Sequence, residues 1–219
     1  MATPSVEDYM KAIYRASQEA GQVSTQDIAL QLAVSQPAVS KMLRRLVQMN
    51  LVEHTPYQGI ELTEAGRKMA IEIVRHHRLL ERYLVEALGY GWEQVHEEAE
   101  RLEHHISEEF EQRIDLLMGH PQTCPHGDPI PTLEGQIAAT VQTTLAQQKP
   151  GDFVIQRVSD RDAALLCYLK EQGLLPGTAL KLEEREPFGG AFVVQVASKT
   201  VRIAPGAAAQ IFVSETSGQ

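Results

Sequence analysis

Histidines and carboxylates recur at helical spacing through the middle of this 219-residue chain. His77 and Glu81 are four residues apart, so on a helix they share one face. His96, Glu100, Glu103 and His104 follow at steps of four, three and one, which puts all four on one side of a second helix. A single helical histidine is ordinarily a structural hydrogen-bonding residue. Two helices that each present His and Glu at this spacing match the way bundle interiors hold metal ions. The donors are imidazole and carboxylate without thiol, which suits Mn²⁺ or Fe²⁺ better than structural zinc or Cu⁺. Raw affinity favours later metals, so selection among ions has to come from geometry and availability. A second group, Cys124-Pro125-His126-Gly127, sets a thiol and an imidazole two residues apart in a Pro/Gly loop. Taken by itself that piece reads as a turn with incidental side chains. His54, His76, His105 and His120 read as surface or structural, since His105 follows His104 and points off its face.

The charge distribution agrees with a cation site in the middle of the chain. The net charge is -9. Residues 1–75 carry eight Lys/Arg and eight Asp/Glu, whereas residues 76–131 carry four basic and twelve acidic residues. The overall acidity argues against a nucleic-acid partner, and the neutral head removes that objection. Cys124 and Cys167 are the only cysteines, and such a pair in a cytoplasmic protein is more often free or metal-bound than bridged. No apolar run approaches the roughly 20 residues of a membrane span, and MATPSVEDYM lacks the form of a signal peptide. The expected location is the cytoplasm, with no membrane partner. No recognisable nucleophile or cofactor loop accompanies the His/Glu helices, so a metalloenzyme is disfavoured. A winged-helix regulator that senses a small organic ligand is the other class considered.

The elements that would position these residues are mainly helical, with a β domain at the end. Residues 1–74 read as three helices and a hairpin. Val6, Tyr9, Met10, Ile13 and Tyr14 have helical spacing. A short helix follows Ser24 or Thr25, and after Ala33-Val34 a further helix is capped by Ser35 with Pro37 in its first turn. Leu51 to His54 and Ile60 to Leu62 form a hairpin around Pro56 to Gly59, and Thr63 caps the next helix. That order is a winged helix-turn-helix, whose second helix enters the major groove. Gln36, Pro37, Ala38, Ser40, Lys41 and Arg44 lie on the side of that helix away from its apolar stripe. Ala38 and Ser40 permit close approach, Gln36 suits adenine, and Lys41 and Arg44 suit guanine or phosphate. Tyr57, at the wing tip, is placed to rest on the DNA backbone. Residues 75–145 read as a helical metal-binding and dimerisation domain, broken at Gly89-Tyr90-Gly91 and by a loop from His120 to Pro131. Residues 150–219 hold five short strands and one helix, Ala163 to Gln172, begun at Asp160 or Asp162. That pattern suggests a small SH3-like β-barrel.

The chain resembles the diphtheria-toxin-repressor (DtxR/MntR) family over essentially its whole length. The resemblance is carried by SVEDYMKAIY at 5–14, VSQPAVSKMLRRL at 34–46, RHHRLLERYL at 75–84, HEEAERLEHHISEEF at 96–110 and CPHGDPIP at 124–131. VSDRDAALLCYLKEQGLLPG at 158–177 resembles the family's SH3-like (FeoA-like) domain. The resemblance implies a homodimeric repressor of metal-homeostasis genes, which binds a palindromic operator when loaded with Mn²⁺ or Fe²⁺. Iron-responsive members have Met and Cys where this chain has Asp8 and Glu100, so the manganese branch is implied and an iron-responsive repressor is the nearest alternative. Short manganese members carry Glu, used in a two-metal cluster, where this chain has Lys11. Lys11, the extra C-terminal domain and the CPHG loop resemble the streptococcal-type manganese repressors. That likeness implies a primary site of Asp8, Glu100, Glu103 and His104, with His77 nearby. It implies a second site of Glu81, Cys124, His126 and Asp160, with Asp162 as the alternative to Asp160 and Zn²⁺ as a further candidate ion there.

Overall fold

The computed structural model describes residues 3–20, 23–55 and 59–216, which form two compact units. The first unit comprises residues 1–77, 102–108 and 131–136. Its helix α1 (Pro4–Ala20) buries Val6, Tyr9, Met10, Ile13 and Tyr14 along one stripe. Helix α2 (Thr25–Gln31) starts at Ser24, whose hydroxyl accepts from the Asp27 amide while the Asp27 carboxylate accepts from the Ser24 amide. This reciprocal pair satisfies two otherwise orphaned donors. Helix α3 (Gln36–Gln48) is capped by the Ser35 hydroxyl, which accepts from the Ala38 amide, and tolerates Pro37 in its first turn. Val39, Leu43 and Leu46 are buried beneath it, while Gln36, Pro37, Ala38, Lys41 and Arg44 are exposed and Ser40 is half-buried. Strands β1 (Val52–Thr55) and β2 (Gly59–Leu62) pair antiparallel from Val52↔Leu62 to Thr55↔Gly59. Tyr57 lies outside the described residues.

Between α2 and α3 the chain turns through Ala33, whose φ of 53° is left-handed. A Cβ in that region costs about 1–2 kcal/mol, part of which glycine would lose again through its freer unfolded chain. Ala33→Gly is therefore expected to raise the thermal midpoint by a few degrees without altering DNA binding, as a melting curve and a binding isotherm would read.

Helix α4 (Glu64–Glu86) begins at Thr63, whose Oγ1 accepts from the Gly66 amide. The second unit comprises residues 78–101, 109–130 and 137–219. Helices α5 (Val95–Leu102) and α6 (Glu108–Leu117) precede a stretch, residues 118–144, that contains no helix. The expected helical region therefore stops earlier than its periodicity suggested. Five prolines or glycines between Pro121 and Pro131, followed by the β-branched Thr and Val residues before Leu145, explain the difference.

The chain then builds β3 (Gly151–Val158), α7 (Ala163–Gln172), β4 (Ala179–Arg185), β5 (Phe192–Val196), β6 (Lys199–Ile203), α8 (Pro205–Ala208) and β7 (Ile211–Glu215). These strands form one antiparallel sheet in the order β6-β5-β4-β3-β7. The expected barrel thus appears as a five-stranded sheet, with no pairing of β6 to β7 among the described residues. Its core holds Phe153, Ile155, Leu166, Leu169, Phe192 and Val194, and Trp92 and Val85 from the helical part pack against it. Helix α8 was not expected. Pro205 in its first turn supplies the helical φ that an apolar run alone does not announce. Among the described residues no helix is long and apolar enough to cross a membrane.

Candidate metal centre

In the first unit Asp8, Glu103 and His104 each bring a ligand-capable atom within 4.8 Å of the others. Asp8 stands on α1, and Glu103 and His104 lie in the turn that follows α5. His104 Nε2 is 2.9 Å from Asp8 Oδ1 and 3.5 Å from Glu103 Oε1. The opposite nitrogen, Nδ1, is 2.7 Å from Glu7 Oε2. A proton donated from Nδ1 to Glu7 leaves Nε2 to bear the lone pair toward the two other carboxylates. Metal-ligating histidines are ordinarily oriented in this way. Glu7 is a candidate orienting residue for His104 that spacing does not reveal, because it sits beside Asp8 rather than one turn away.

Glu103 is fully buried and answers several cationic groups at once. Its Oε2 accepts from His77 Nδ1 at 2.6 Å, and its Oε1 accepts from the Lys11 ammonium. Burial pushes the carboxyl up, but His77 and Lys11 together outweigh it and hold Glu103 below the usual range. His76, expected to be incidental, is buried with Nδ1 3.3 Å from the Glu103 carbonyl, a structural role.

The second unit gathers another set. Glu81 on α4, His96 on α5 and Asp160 after β3 form one cluster, and Glu81, Cys124 and His126 form another. His96 Nδ1 is 3.2 Å from Glu81 Oε1 and 3.3 Å from Asp160 Oδ2. Burial lowers the affinity of this imidazole for a proton, but the carboxylates of Asp160 and Glu81 prevail and raise its pKa to about 9. Asp162 is occupied elsewhere, because its Oδ1 accepts from the amides of Ala164 and Leu165 as the cap of α7.

His126 is fully buried. Its Nε2 donates to the Trp92 carbonyl at 2.8 Å, which leaves Nδ1 as the nitrogen that faces Glu81. Nδ1 makes no hydrogen bond and lies 3.5 Å from Glu81 Oε2. A buried, unsatisfied imidazole nitrogen beside a buried carboxylate and a thiol fits a cation better than it fits an apolar core. Burial disfavours the protonated ring, yet Cys124 and Glu81 beside it push His126 up to about 12. Burial and Glu81 push the Cys124 thiol up to about 11. In both clusters carboxylates draw protons onto imidazoles, the place a cation would take.

The CPHG loop is held by its neighbours. The Val158 amide donates to the His126 carbonyl, and the Cys124 amide to the Asp128 carbonyl. Arg78 donates to the Pro129 carbonyl at 2.6 Å, and Asp128 lies between Arg78 and Arg157 at 3.6 and 3.7 Å. Gly127 adopts φ +92° with its Cα against β3, where a Cβ would meet the Gln156 carbonyl oxygen at 2.1 Å. The loop is therefore more than a turn with incidental side chains.

The single helical face expected for His96, Glu100, Glu103 and His104 does not form. Helix α5 ends at Leu102, where the His105 amide donates to the Leu102 carbonyl. His96 belongs to the second unit's cluster, and Glu103 and His104 to the first unit's. Glu100 lies in the second unit with Oε1 3.7 Å from His96 Nε2.

A helix-turn-helix head with an exposed polar recognition face, an imidazole–carboxylate centre rooted in its first helix and a C-terminal β-sheet together define a metal-dependent DNA-binding regulator. Residues 1–60 match the N-terminal DNA-binding domain of the iron-dependent repressors, residues 63–132 match their metal-binding and dimerisation domain, and residues 143–215 match the FeoA domain. The chain belongs to the iron-dependent repressor (DtxR/MntR) family: it is a metal-dependent transcriptional repressor, not an enzyme, whose partners are DNA, a second copy of itself and divalent metal ions. A manganese-dependent transcriptional repressor solved in complex with manganese is 38% identical, with a TM-score of 0.90 over 96% of this chain and 100% of that one. The manganese regulator SloR is 35% identical, with a TM-score of 0.80 over 98% of this chain and 100% of that one. The iron-dependent repressor IdeR of Mycobacterium leprae is 33% identical over 203 residues, 87% of this chain and 88% of that protein.

Proposed function

We propose that this repressor responds to Mn²⁺ in the cytoplasm, with Asp8, Glu100, Glu103 and His104 as the primary ligands and His77 beside them. The observation that carries the reading is the convergence of Asp8, Glu103 and His104, a cluster of oxygen and imidazole donors without sulfur. The likeness to two manganese regulators over nearly the whole chain supports it. Glu81, His96, Cys124, His126 and Asp160 make the second site, whose thiol also suits Zn²⁺. Domain limits of 1–74, 75–145 and 150–219 accompany this assignment. Fe²⁺ is the second reading, because the same donors accept it and IdeR is a relative over most of the chain.

Asp8, Glu103 and His104 would hold a divalent ion, whose charge would neutralise carboxylates that otherwise repel one another. Asp8 then ties α1 to the turn holding Glu103 and His104, and Glu7 keeps His104 aimed at that point. With α1 fixed, the two heads of the dimer hold their α3 helices at the spacing of one DNA turn, about 34 Å, on a palindromic operator. The ion shifts the equilibrium only by its preference for that docked arrangement. Gln36, Pro37, Ala38, Ser40, Lys41 and Arg44 face the DNA, and Tyr57, outside the described residues, is the further contact expected from the sequence.

Fluorescence-anisotropy binding to the protein's own promoter tests this reading. At fixed salt, Mn²⁺ is expected to tighten binding over an EDTA control, and to do so at lower concentration than Fe²⁺ under anaerobic conditions. Arg44→Ala is expected to weaken the Mn²⁺-loaded complex about tenfold, in the range of a lost base or phosphate contact. Equal affinity with and without metal would refute the switch while leaving the DNA-binding head.

A further inference from the structure

We propose that Trp92 is the positioning residue of the second cluster: its ring fastens the β domain to the helical part before any ion arrives, and its carbonyl aims His126. The inference rests on the reading of Glu81, His96, Cys124, His126 and Asp160 as a metal site. Trp92 precedes α5, in a turn where the amides of Gln94 and Val95 both donate to the Gly91 carbonyl. Its side chain is only 8% exposed and belongs to the apolar core that holds Ile155, Val158, Leu166 and Leu169. Its Nε1 is buried and makes no hydrogen bond, so the ring acts through shape and apolar area rather than through its polar edge.

His96, His126 and Asp160 are all reached from this one position. His96 follows four residues later, in the first turn of α5. His126 Nε2 donates to the Trp92 carbonyl at 2.8 Å, and the two rings lie 5.5 Å apart. Asp160 comes two residues after Val158, which is buried in the same core as Trp92 and whose amide donates to the His126 carbonyl. Trp92, His126 and Val158 thus close a circuit between the helical part, the CPHG loop and β3. The charged contacts across this boundary are weaker. Glu93 meets Lys170 at 3.1 Å, but that lysine is 53% exposed, and pairs of that kind contribute little. The cluster itself resists assembly, because Glu81 and Asp160 approach the same nitrogen of His96 at 3.2 and 3.3 Å and repel one another. A buried tryptophan removes roughly 150–250 Å² from water, which is what holds the two parts together against that repulsion.

Hydrogen exchange of the full-length dimer in EDTA reads the docking directly. The Val158 amide is expected to be protected in the metal-free wild type and to gain little on adding Co²⁺. Trp92→Ala is expected to speed its exchange about a hundredfold, the scale of a buried aromatic side chain removed, while the amides of β5, between β4 and β6, stay protected. Co²⁺ then reads the cluster, because a thiolate-to-cobalt absorption band can arise at Cys124 and not at the first centre, which has no sulfur. Cys124→Ala supplies the blank. Trp92→Ala is expected to lose the band. Trp92→Phe, which keeps a ring and drops only an unbonded N–H, is expected to retain both the band and the protection of Val158. A full band in folded Trp92→Ala overturns the proposal. So does a Val158 amide that exchanges at the unfolded rate in metal-free wild type and slows only with Co²⁺, a result that decides even if Trp92→Ala does not fold. A wild type without the band removes the metal reading of the cluster, and the positioning role of Trp92 with it, whatever the exchange shows.

Discussion

Glu103→Ala is expected to abolish Mn²⁺-dependent operator binding and to destabilise the metal-free fold, whereas Asp8→Ala should do only the first. The distinction follows from what each carboxylate touches. Glu103 is buried between the Lys11 ammonium and His77, both themselves buried. Removing one partner of such a pair strands the other charge away from water, at a cost of about 3–5 kcal/mol. The Asp8 side chain is 38% exposed, and its partner His104 keeps Glu7 on the other ring nitrogen, so its loss leaves no buried charge without a counter-charge. Urea unfolding in EDTA should therefore separate the two variants by a large shift in midpoint, with Asp8→Ala close to wild type. Anisotropy with Mn²⁺ should show both failing to tighten on DNA. Retained Mn²⁺-dependent tightening in Asp8→Ala would remove the residue that ties α1 to the centre, and with it the proposed docking of the head. Glu103→Gln separates the two roles, because an amide oxygen still accepts from Lys11 while the negative charge is gone.

Most of the framework that positions these residues is readable locally. Ser24, Ser35 and Thr63 announce helix starts because a hydroxyl before an apolar-periodic run satisfies amides within three residues, and the backbone uses them so. Helix α7 begins and ends where its pattern says, since Asp162 caps it and Gly173 takes the left-handed φ of 73° that terminates it. The recognition face of α3 follows from the burial of Val39, Leu43 and Leu46 on the other side. The choice between Asp160 and Asp162 is of another kind. Both precede the helix, and only the capping bonds of Asp162 leave Asp160 as the carboxylate beside His96.

What escapes sequence reading is long-range. Lys11 and Glu103 are 92 residues apart, and Glu7 and His104 are 97 apart, so no window along the chain pairs them. The end of α5 before Glu103 is equally silent, because Glu, His and His tolerate helix and turn alike. Periodicity therefore identified the His/Glu residues as a set, but not that α5 ends before Glu103 and His104. The CPHG loop shows how little composition alone says, since only the family resemblance pointed to it. Its composition suggests only a turn, yet it holds a fully buried imidazole, because Glu81 and the Trp92 carbonyl reach it from distant parts of the chain.

Gly127→Ala is expected to dismantle that second cluster while leaving the first centre intact. A Cβ at residue 127 would lie 2.1 Å from the Gln156 carbonyl oxygen and 2.8 Å from Arg157 Cα, both backbone atoms of β3 that no rotamer can move aside. The φ of +92° adds a strain that L-residues rarely bear, and the two effects together cost at least about 2–3 kcal/mol. The loop can relieve them only by parting from β3, which breaks the bond from the Val158 amide to the His126 carbonyl and withdraws His126 from Glu81. Metal content should fall by one ion per protomer. Trp92, the only tryptophan, lies 5.5 Å from the His126 ring and its carbonyl accepts from that ring's N–H, so its fluorescence response to metal should disappear as well. Gly119→Ala is the control: its φ of +71° carries a similar backbone strain, but nothing lies within 4 Å of the added carbon. That variant should lose about 1–2 kcal/mol and keep both the ion and the Trp92 response. If Gly127→Ala retains full metal content and the fluorescence change, the loop is not positioned by its contact with β3, and Cys124 and His126 reach Glu81 by some other constraint.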